Sequence, residues 1–495
     1  MALIRNFPAF SILLTLICAV ITSVLRRRSA SVLTLLLIIV NLALNSLVMI
    51  DTVRTGDSYV YWMGHFPAPW GNELRAGIFE TVTATALLLV ILFSFIGGYR
   101  RSVSDIEPDK YNLFCVMIDL SMLALLALVY TNDIFTAYVF IEISTLAAAG
   151  LVMACQTGQS LVAGIRYMIM NLLGSSLFLL GVVILYAITG HLLMTPIHDA
   201  VAELAASGEY RIPLDVIVAL ISVGLGMKSA LFPFEKWVPG AYSNATPSAA
   251  AMLSSIVSKG YIFLLIKIYV RVIGLSVIDM LGIIDVIFVF GAAGMIMGSI
   301  YAIRAKTVRM MVAYSSVAQI GYIFLAIGIG TDESMLVALW HLLAHAATKS
   351  MLFIAAAEIN DASGGTHLRS DVKGAFYRSP MASLAFSLGA ANLVGVPLLG
   401  AFVTKLMMGK AAVLLGGGYM VITLACLGIS TVLNLLYFMK TAMSFYVHEP
   451  YEYEVRKPDR LVRLGLVGFI LMNLILGLGA FPIYSILSSG LAAFA

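Results

Sequence analysis

The sequence predicts an all-α polytopic membrane protein with about 14 transmembrane helices. Of its 495 residues, 61% are apolar and 11% are charged, and the mean hydropathy is +0.99. A soluble domain carries about 25% charged residues, so this composition excludes the soluble and disordered classes. A spanning helix needs about 20 apolar residues, so the length accommodates about fourteen spans and no separate extramembrane catalytic domain.

Hydropathy places the fourteen spans, which are numbered here in chain order. The first apolar segment resembles a secretory signal, but it precedes three arginines at 26–28 and lacks a small-residue cleavage site, so we expect it to be retained. The predicted spans are 8–25, 31–50, 78–98, 111–130, 133–155, 161–189, 214–234, 247–272, 282–303, 308–329, 334–358, 381–415, 419–446 and 462–488.

The distribution of basic residues predicts the orientation of the spans. Lys and Arg are concentrated in loops that follow odd-numbered spans, at 26–28, 100–110, 236, 304–309, 369–378 and 456–463. Loops after even-numbered spans, such as 51–75 and 191–213, contain fewer. The positive-inside rule therefore places the odd-numbered loops in the cytoplasm and both termini outside. Fourteen spans fit this parity, whereas thirteen do not.

Motifs for cofactors, metals and nucleic acid are not found. The net charge of +4 does not imply a nucleic acid partner, and no haem, flavin, nucleotide or iron–sulfur motif is recognisable. Four isolated cysteines lack the paired spacing of a metal or disulfide site. No Glu lies between His341 and His345 and no third His or Cys follows, so we expect no metal there. The cysteines are Cys18, Cys115, Cys155 and Cys426.

Two of the predicted spans contain helix breaks. In span 7 the segment 226–239 contains Pro233, and in span 12 the segment 392–405 contains Gly395, Pro397 and Gly400. Span 12 is the fifth span after span 7, an odd offset, so the two cross the membrane in opposite directions, as in an inverted-topology repeat whose paired broken helices mark an ion pathway. Two unrelated kinks are the alternative.

Seven of the ionisable residues inside the predicted spans are candidate site residues. Each costs about 2.5–3.5 kcal/mol at a helix centre and needs a partner or a water-filled cavity. Glu142 lies nine residues after Asp133, about 14 Å deep at 1.5 Å per residue. The three in span 11 recur every four residues and share one helix face. The seven are Glu142, Lys228, Lys259, His341, His345, Lys349 and Lys405.

Two other lysines are interpreted differently. Lys410 and Lys440 lie near helix ends, where a long side chain can extend its charged group to water. We therefore expect both to reach the membrane interface.

Several motifs together resemble one family of membrane proteins. They include GMKSALFPFEKWVPGAYSNATPSAAAMLSSIVSKG at 226–260, HLLAHAATKSMLF at 341–353 and GVPLLGAFVTK at 395–405. Over residues 64–440 the sequence resembles the antiporter-like proton-translocating subunits of respiratory complex I, Mrp-type cation/proton antiporters and membrane-bound energy-converting hydrogenases. It looks most similar to the D-type branch of the Mrp antiporters.

The resemblance implies a fold and a mechanism. It implies two inverted five-helix bundles, spans 4–8 and 9–13, and therefore units at 1–110, 111–273, 274–447 and 448–495. It implies a central proton path in which Glu142 pairs with Lys228, followed by Lys259, the His341, His345 and Lys349 face, and Lys405. It also implies other membrane subunits as partners, H⁺ as the transported ion, and the cytoplasmic (inner) membrane of a prokaryote as the location. Exchange for Na⁺ is left open.

Three charged residues depart from the family pattern. Glu235 and Lys236 precede Trp237 where the family has an uncharged segment, and Glu358 stands where a small or apolar residue is expected. These departures affect the expected cytoplasmic entrance and leave the resemblance intact.

Two functional interpretations remain from the sequence. The first is a subunit of a multisubunit complex, either an Mrp-type antiporter or a redox-driven translocase, which needs partners because this chain has no energy source of its own. The second is a stand-alone secondary cation/proton antiporter, for which paired midplane Asp residues are expected. The sequence leaves open whether the complex is an enzyme.

Overall fold

The computed structural model describes residues 3–66, 71–208, 210–365, 368–448 and 459–494. Within these ranges, thirteen helices are long and apolar enough to cross a membrane. The discontinuous pair Pro380–Val394 and Gly400–Leu415 provides a further crossing. The predicted polytopic helical fold with about 14 spans is therefore confirmed. Arg456 and Lys457 of the last predicted basic loop lie outside the described residues.

The spans keep the numbering given above. Spans 1 to 6 are Phe7–Val24, Arg27–Thr55, Ile78–Asp105, Tyr111–Tyr130, Ile134–Met153 and Gly158–Thr189. Span 7 consists of Arg211–Ser229 and, after a break, Val238–Asn244. Spans 8 to 11 are Pro247–Ile273, Ile283–Arg304, Val308–Ile329 and Asp332–Ala362. Span 12 is the discontinuous pair, and spans 13 and 14 are Gly417–Ser444 and Arg460–Leu478. A last helix, Ala480–Phe494, follows Gly479.

Polar caps fix several helix ends. The side chains of Thr157, Thr307 and Thr331 each accept a hydrogen bond from a backbone amide in the first turn of spans 6, 10 and 11. Gly190 and Gly330 end spans 6 and 10 with φ values of 72° and 78°, which favour glycine. These residues set the helix ends close to the span boundaries that hydropathy predicts.

The loops are gathered on two sides of the helix bundle. After span 2, strand β1 (Tyr59–Trp62) pairs antiparallel with strand β2 (Glu73–Ala76). This two-stranded hairpin defines the hairpin side, and the opposite side, where most arginines lie, is called the basic side. Backbone bridges join Leu74 to Thr131 and Asp133 to Leu193 on the hairpin side, and Thr307 to Leu368 on the basic side. The loops after even-numbered and odd-numbered spans are thus separated, as the parity of fourteen spans requires.

One helix lies in a predicted loop. Hydropathy places 191–213 between two spans, but Met194–Ser207 is helical. Ile197 and Val201, four residues apart, are buried, whereas most of the opposite face is exposed. The helix is therefore amphipathic and rests on the hairpin side, and it is too short to cross the membrane.

The two predicted helix breaks are present. The first part of span 7 ends at Ser229, and Ala230 adopts a left-handed conformation with φ of 65°. The first part of span 12 ends at Val394, where Gly395 has φ of 92°. Carbonyl groups released at a break can accept hydrogen bonds from side chains. The inverted relation between the two halves stays a prediction.

Small residues allow spans 9 and 10 to pack very closely. A Cβ atom on Gly298 would lie 2.4 Å from the amide nitrogen of Ala318, and one on Gly321 would lie 2.4 Å from that of Met295. Larger side chains at these glycines would force the helices apart. This close packing fixes the position of span 10, to which Lys349 of span 11 is hydrogen-bonded.

Candidate functional site

Lys228 is anchored at the end of the first part of span 7. Its side chain is completely buried. Its Nζ donates hydrogen bonds to Thr145 Oγ1 of span 5 at 2.7 Å and to the carbonyl of Asn171 in span 6 at 3.0 Å. It also lies 5.1 Å from the ring centre of Tyr261 in span 8. Lys228 therefore connects four spans.

Glu142 lies one turn before Thr145 on span 5. Its side chain is partly exposed, while Oε1 is buried without a hydrogen-bond partner among the described residues. In the described part of the chain, Glu142 and Lys228 form no ion pair within 4.0 Å, and Lys228 instead donates to the Thr145 hydroxyl. The two side chains of the predicted pair are therefore not in direct contact in this structure, and this is called the open arrangement.

Lys259 lies in an irregular helix. Span 8 contains a π-helical turn at Leu253–Val257, immediately before Ser258. This turn brings the carbonyl of Ser254 to Lys259 Nζ, which donates to it at 2.5 Å. Lys259 is completely buried. Single π-helical turns inside α-helices are frequent at functional sites, and here the turn supplies the partner of a charged side chain.

The two histidines of span 11 form a stack. The rings of His341 and His345 are 5.9 Å apart with an interplanar angle of 5°, and Tyr322 stacks on His341 at 5.4 Å. His341 Nδ1 and Thr404 Oγ1 share a hydrogen bond of 3.0 Å. Both nitrogens of His345 are buried and have no partner among the described residues. The predicted common face of span 11 points into the bundle.

Lys349 lies two turns beyond His341 on that face. Its Nζ donates to the carbonyl of Val312 at 2.9 Å and to the Ser315 hydroxyl, both in span 10. It lies 5.5 Å from the ring centre of Phe438 in span 13. Lys349 is completely buried.

Lys405 sits beside the break in span 12. Its Nζ donates to the carbonyl of Val394, the last residue before the break, at 2.5 Å, and to Thr431 Oγ1 of span 13 at 2.7 Å. It is 5.9 Å from the ring centre of Tyr322. Since Tyr322 also stacks on His341, it lies between the histidines and Lys405.

The predicted lysines and histidines are completely or almost completely buried except for Lys405, which is partly buried, and the series from Glu142 to Lys405 is called the predicted path. None of the four lysines at 228, 259, 349 and 405 has a carboxylate within 4.0 Å in the part of the chain that the structure describes. Their hydrogen bonds go to carbonyl and hydroxyl groups. Several linking residues were missed from the sequence, because hydroxyl and aromatic residues are common in apolar spans. They are Thr145, Tyr261, Tyr322, Thr404 and Thr431.

A second charged cluster on the hairpin side was also missed. Arg271 Nη1 lies 3.4 Å from Glu80 Oε1, and both side chains are about 2% exposed. Arg271 Nη2 donates to Asn132 Oδ1 at 2.6 Å. Lys267 donates to the carbonyls of Val129 and, at 3.0 Å, Thr131, where span 4 ends. Lys259, Lys267 and Arg271 are eight and four residues apart, so they lie on one helix face, and this spacing was the available signal.

The histidine face is not arranged as a metal site. Within the described ranges, no group of three His, Cys, Asp or Glu side chains is placed to hold a metal ion. The neighbours of His341 are instead Tyr322, Thr404 and the second histidine.

Comparison with known proteins assigns the chain to a family. Residues 131–433, which carry most of the path, match the family model described as NADH:quinone oxidoreductase/Mrp antiporter, transmembrane. The chain belongs to this family. The N-type subunit of NADH-quinone oxidoreductase from Desulforudis audaxviator (strain MP104C) is 31% identical over 411 residues, covering 82% of this chain and 79% of the relative. The D-type subunit of the Na(+)/H(+) antiporter from Bacillus subtilis (strain 168) is 26% identical over 442 residues, covering 87% and 85%.

These identities differ from one expectation of the sequence analysis. The motifs suggested greater similarity to the D-type branch, but the N-type relative shares the higher fraction of identical residues. Both relatives belong to the antiporter-like members of the quinone oxidoreductase/Mrp family. The motifs around the two helix breaks therefore identify the family and do not separate its branches.

Two solved structures have the same fold. A chain of the membrane-bound sulfane sulfur reductase, an archaeal respiratory membrane complex, superposes with a TM-score of 0.86 at 24% identity, covering 98% of this chain and 97% of that one. A chain of the Mrp complex from Dietzia sp. DQ12-45-1b gives 0.86 at 21% identity, covering 100% and 98%. This member of the quinone oxidoreductase/Mrp family thus has the architecture found in two membrane complexes.

Proposed function

We propose that this protein is a proton-translocating, antiporter-like subunit of a multisubunit membrane complex. Protons would move along the path formed by Glu142, Lys228, Lys259, the histidine face with Lys349, and Lys405. The observation that carries this proposal is a set of four lysines, three of them completely buried and Lys405 partly buried, with no carboxylate within 4.0 Å among the described residues.

Burying these lysines in the charged form is costly. An ammonium group taken out of water without a carboxylate partner is expensive, whereas a neutral amine is much less so. A lysine held by carbonyl and hydroxyl groups can therefore exchange its proton without breaking a strong ion pair. Lys410, an exposed lysine outside the proposed path, instead pairs with Glu333 at 3.0 Å.

Glu142 is proposed to control the first lysine. Rotation of the Thr145 side chain would free Lys228 Nζ to approach Glu142, which lies one turn away on the same helix as the threonine. The closed ion pair favours the charged lysine, and the open arrangement favours release of its proton. A conformational change that alternates the two would move a proton along the path.

The histidines would connect the two halves. A neutral imidazole both accepts and donates a proton, which suits it to pass protons between lysines. Waters bridging the unpartnered nitrogens of His345 would complete the path to Lys259. Tyr322 and Thr404 would lead from His341 to Lys405.

Transport against a membrane potential needs energy from other subunits. Moving one charge against 100 mV costs about 2.3 kcal/mol. We therefore propose partner subunits in the same membrane, as in the Mrp complex and the sulfane sulfur reductase complex whose chains share this fold. We also propose that the basic side faces the cytoplasm of a prokaryote, with both termini outside, and leave exchange for Na⁺ to the experiment.

The proposal is tested with the complex purified from its own membranes and reconstituted in liposomes. A pH-sensitive dye inside the vesicles reports proton movement when the complex is energised, or when a Na⁺ gradient is imposed. Lys405→Ala should lower the rate, whereas Lys410→Ala, five residues away on the same helix, should not.

Two results would contradict the proposal. Proton transport by Lys405→Ala at the rate of the Lys410→Ala control would exclude Lys405 from the path. Full transport by this chain alone in liposomes would favour the stand-alone antiporter instead.

A further inference from the structure

A cavity opens on the basic side between spans 3, 8, 11 and 14. Its volume is about 240 Å³. Glu358 of span 11 lines it and is only 5% exposed. Arg101 and Asp361, also in the lining, are paired with each other at 3.1 Å. Glu358 is the carboxylate whose presence departs from the family pattern.

Two glycines shape this cavity. A Cβ atom on Gly98 would lie 2.5 Å from Ser248 Cβ, and one on Gly97 would lie 3.2 Å from Ile354 Cγ2. Span 3 therefore approaches the start of span 8 and the last turns of span 11 very closely. Span 8 reaches the cavity lining through Pro247, the residue before Ser248.

A line of hydroxyl-bearing residues leads from the cavity toward Lys259. Ser248 and Ser255 are seven residues apart on span 8 and so share one face. Ser350 of span 11 donates to Ser255 Oγ at 2.7 Å, and Ser255 lies 3.2 Å from Ser254 Oγ. The carbonyl of that same Ser254 accepts the hydrogen bond from Lys259. The line thus ends on a lysine of the proposed proton path.

The end of this line nearest the cavity contains hydroxyl groups that can bind internal water. Ser248 Oγ and Ser94 Oγ are buried and have no hydrogen-bond partner among the described residues. Ser94 lies one turn from Gly98 on span 3, on the face that meets span 8. Buried hydroxyl groups of this kind are commonly satisfied by internal water. Span 11 carries the apolar residue Ile354 between Ser350 and Glu358, one helical turn from each.

We propose that Glu358 collects protons at the basic side and delivers them to Lys259 through Ser248, Ser255 and bridging water. The carboxylate forms an O–H bond with a proton from bulk water, and that bond breaks when the proton passes inward to the neutral Lys259 amine. No electron transfer is involved. This inference rests on the proposed function and adds an entrance to it.

The test uses the complete complex in inverted membrane vesicles, with initial rates of proton transport as the readout. Glu358→Gln should lower the rate about a hundredfold, at the lower end of the range expected for loss of a positioned proton carrier. Glu358→Asp should retain a substantial part of the rate. The matched control is Glu107→Gln, which alters an exposed carboxylate paired with Lys110 on the same side.

Chemical rescue distinguishes proton delivery from a structural role. Formate is a weak acid small enough for the cavity, and millimolar formate should restore the rate of Glu358→Gln several-fold relative to wild type treated in the same way. A misassembled complex would not recover.

Each outcome discriminates between the two proposals. Wild-type rates in Glu358→Gln, with transport in the parent complex intact, would overturn the entrance and leave the proposed function standing. Loss that formate does not restore would also overturn it. Absence of proton transport in the parent complex would overturn both.

Discussion

The Lys228 ammonium group donates a hydrogen bond of 2.7 Å to the hydroxyl of Thr145. Thr145 is on the same helix as Glu142, one turn further along. The Thr145 side chain also donates to the carbonyl of Ile141 at 2.9 Å. Lys228 can therefore change partner through a local side-chain rotation, without movement of the span.

Glu142→Gln should abolish coupled transport while the complex still assembles. The amide keeps the size of the side chain but cannot carry the negative charge that favours a protonated Lys228. We expect a loss of about a hundredfold or more in the initial rate. The measurement is proton transport in liposomes, with subunit content checked on a native gel. An assembled variant that pumps at the wild-type rate would contradict a role for the pair.

Thr145→Ala should shift the balance of the same pair. Without the hydroxyl, Lys228 loses a hydrogen bond of the kind worth about 1.5–3 kcal/mol to a charged group, and Glu142 becomes its nearest strong acceptor. We expect slower transport because the closed pair is favoured. Thr145→Ser, which keeps the hydroxyl, is the control and should transport normally. Equal rates for Ala and Ser would show that Thr145 has no part in the exchange.

Lys405→Ala and Lys405→Arg should both impair net translocation. Alanine removes the proton carrier, and arginine keeps a charge but does not release its proton in proteins. Lys410→Ala is the matched control, because its exposed pair with Glu333 is worth at most about 1 kcal/mol. The measurement is the initial rate of proton transport by each variant. Normal transport with arginine would show that Lys405 need only be a fixed charge.

Glu80→Gln should destabilise the protein. It leaves Arg271 with a buried charge and no carboxylate partner, which costs about 3–5 kcal/mol when a buried pair is broken. The measurement is the thermal unfolding midpoint of the purified complex, followed by a thiol-reactive dye that reports the buried cysteines. Glu333→Gln breaks the exposed pair with Lys410 and should change the midpoint little. Equal midpoints would contradict a structural role for the Arg271–Glu80 pair.

The spans could be predicted from the sequence because their signal is local. Twenty consecutive apolar residues, capped by Thr or Gly, define a span without knowledge of its neighbours. The breaks in spans 7 and 12 were also predicted, since proline and glycine act on their own backbone. The helix Met194–Ser207 was missed because its apolar residues are few and spaced for one face only.

The partners of the charged residues could not be predicted in the same way. Lys228 meets Thr145 across 83 residues of sequence, and Arg271 meets Glu80 across 191. Such contacts depend on which helix faces pack together, and hydropathy does not contain that information. The depth of Lys259 in span 8 was evident from its position, but its carbonyl partner depends on a π-helical turn that no residue pattern predicted.

The His341→Ala/His345→Ala double variant should slow translocation strongly while leaving the fold intact. The two rings stack on each other and His341 stacks on Tyr322, and an imidazole can accept and donate a proton in one neutral state. We expect a loss of about a hundredfold, at the lower end of the contribution of positioned acid–base groups. His191→Ala, at an exposed loop position, is the control for histidine removal. Transport is measured in liposomes, and assembly is compared by gel filtration of the complex. If the double variant assembles and transports like the control, protons reach Lys405 without the histidines and the path must run elsewhere.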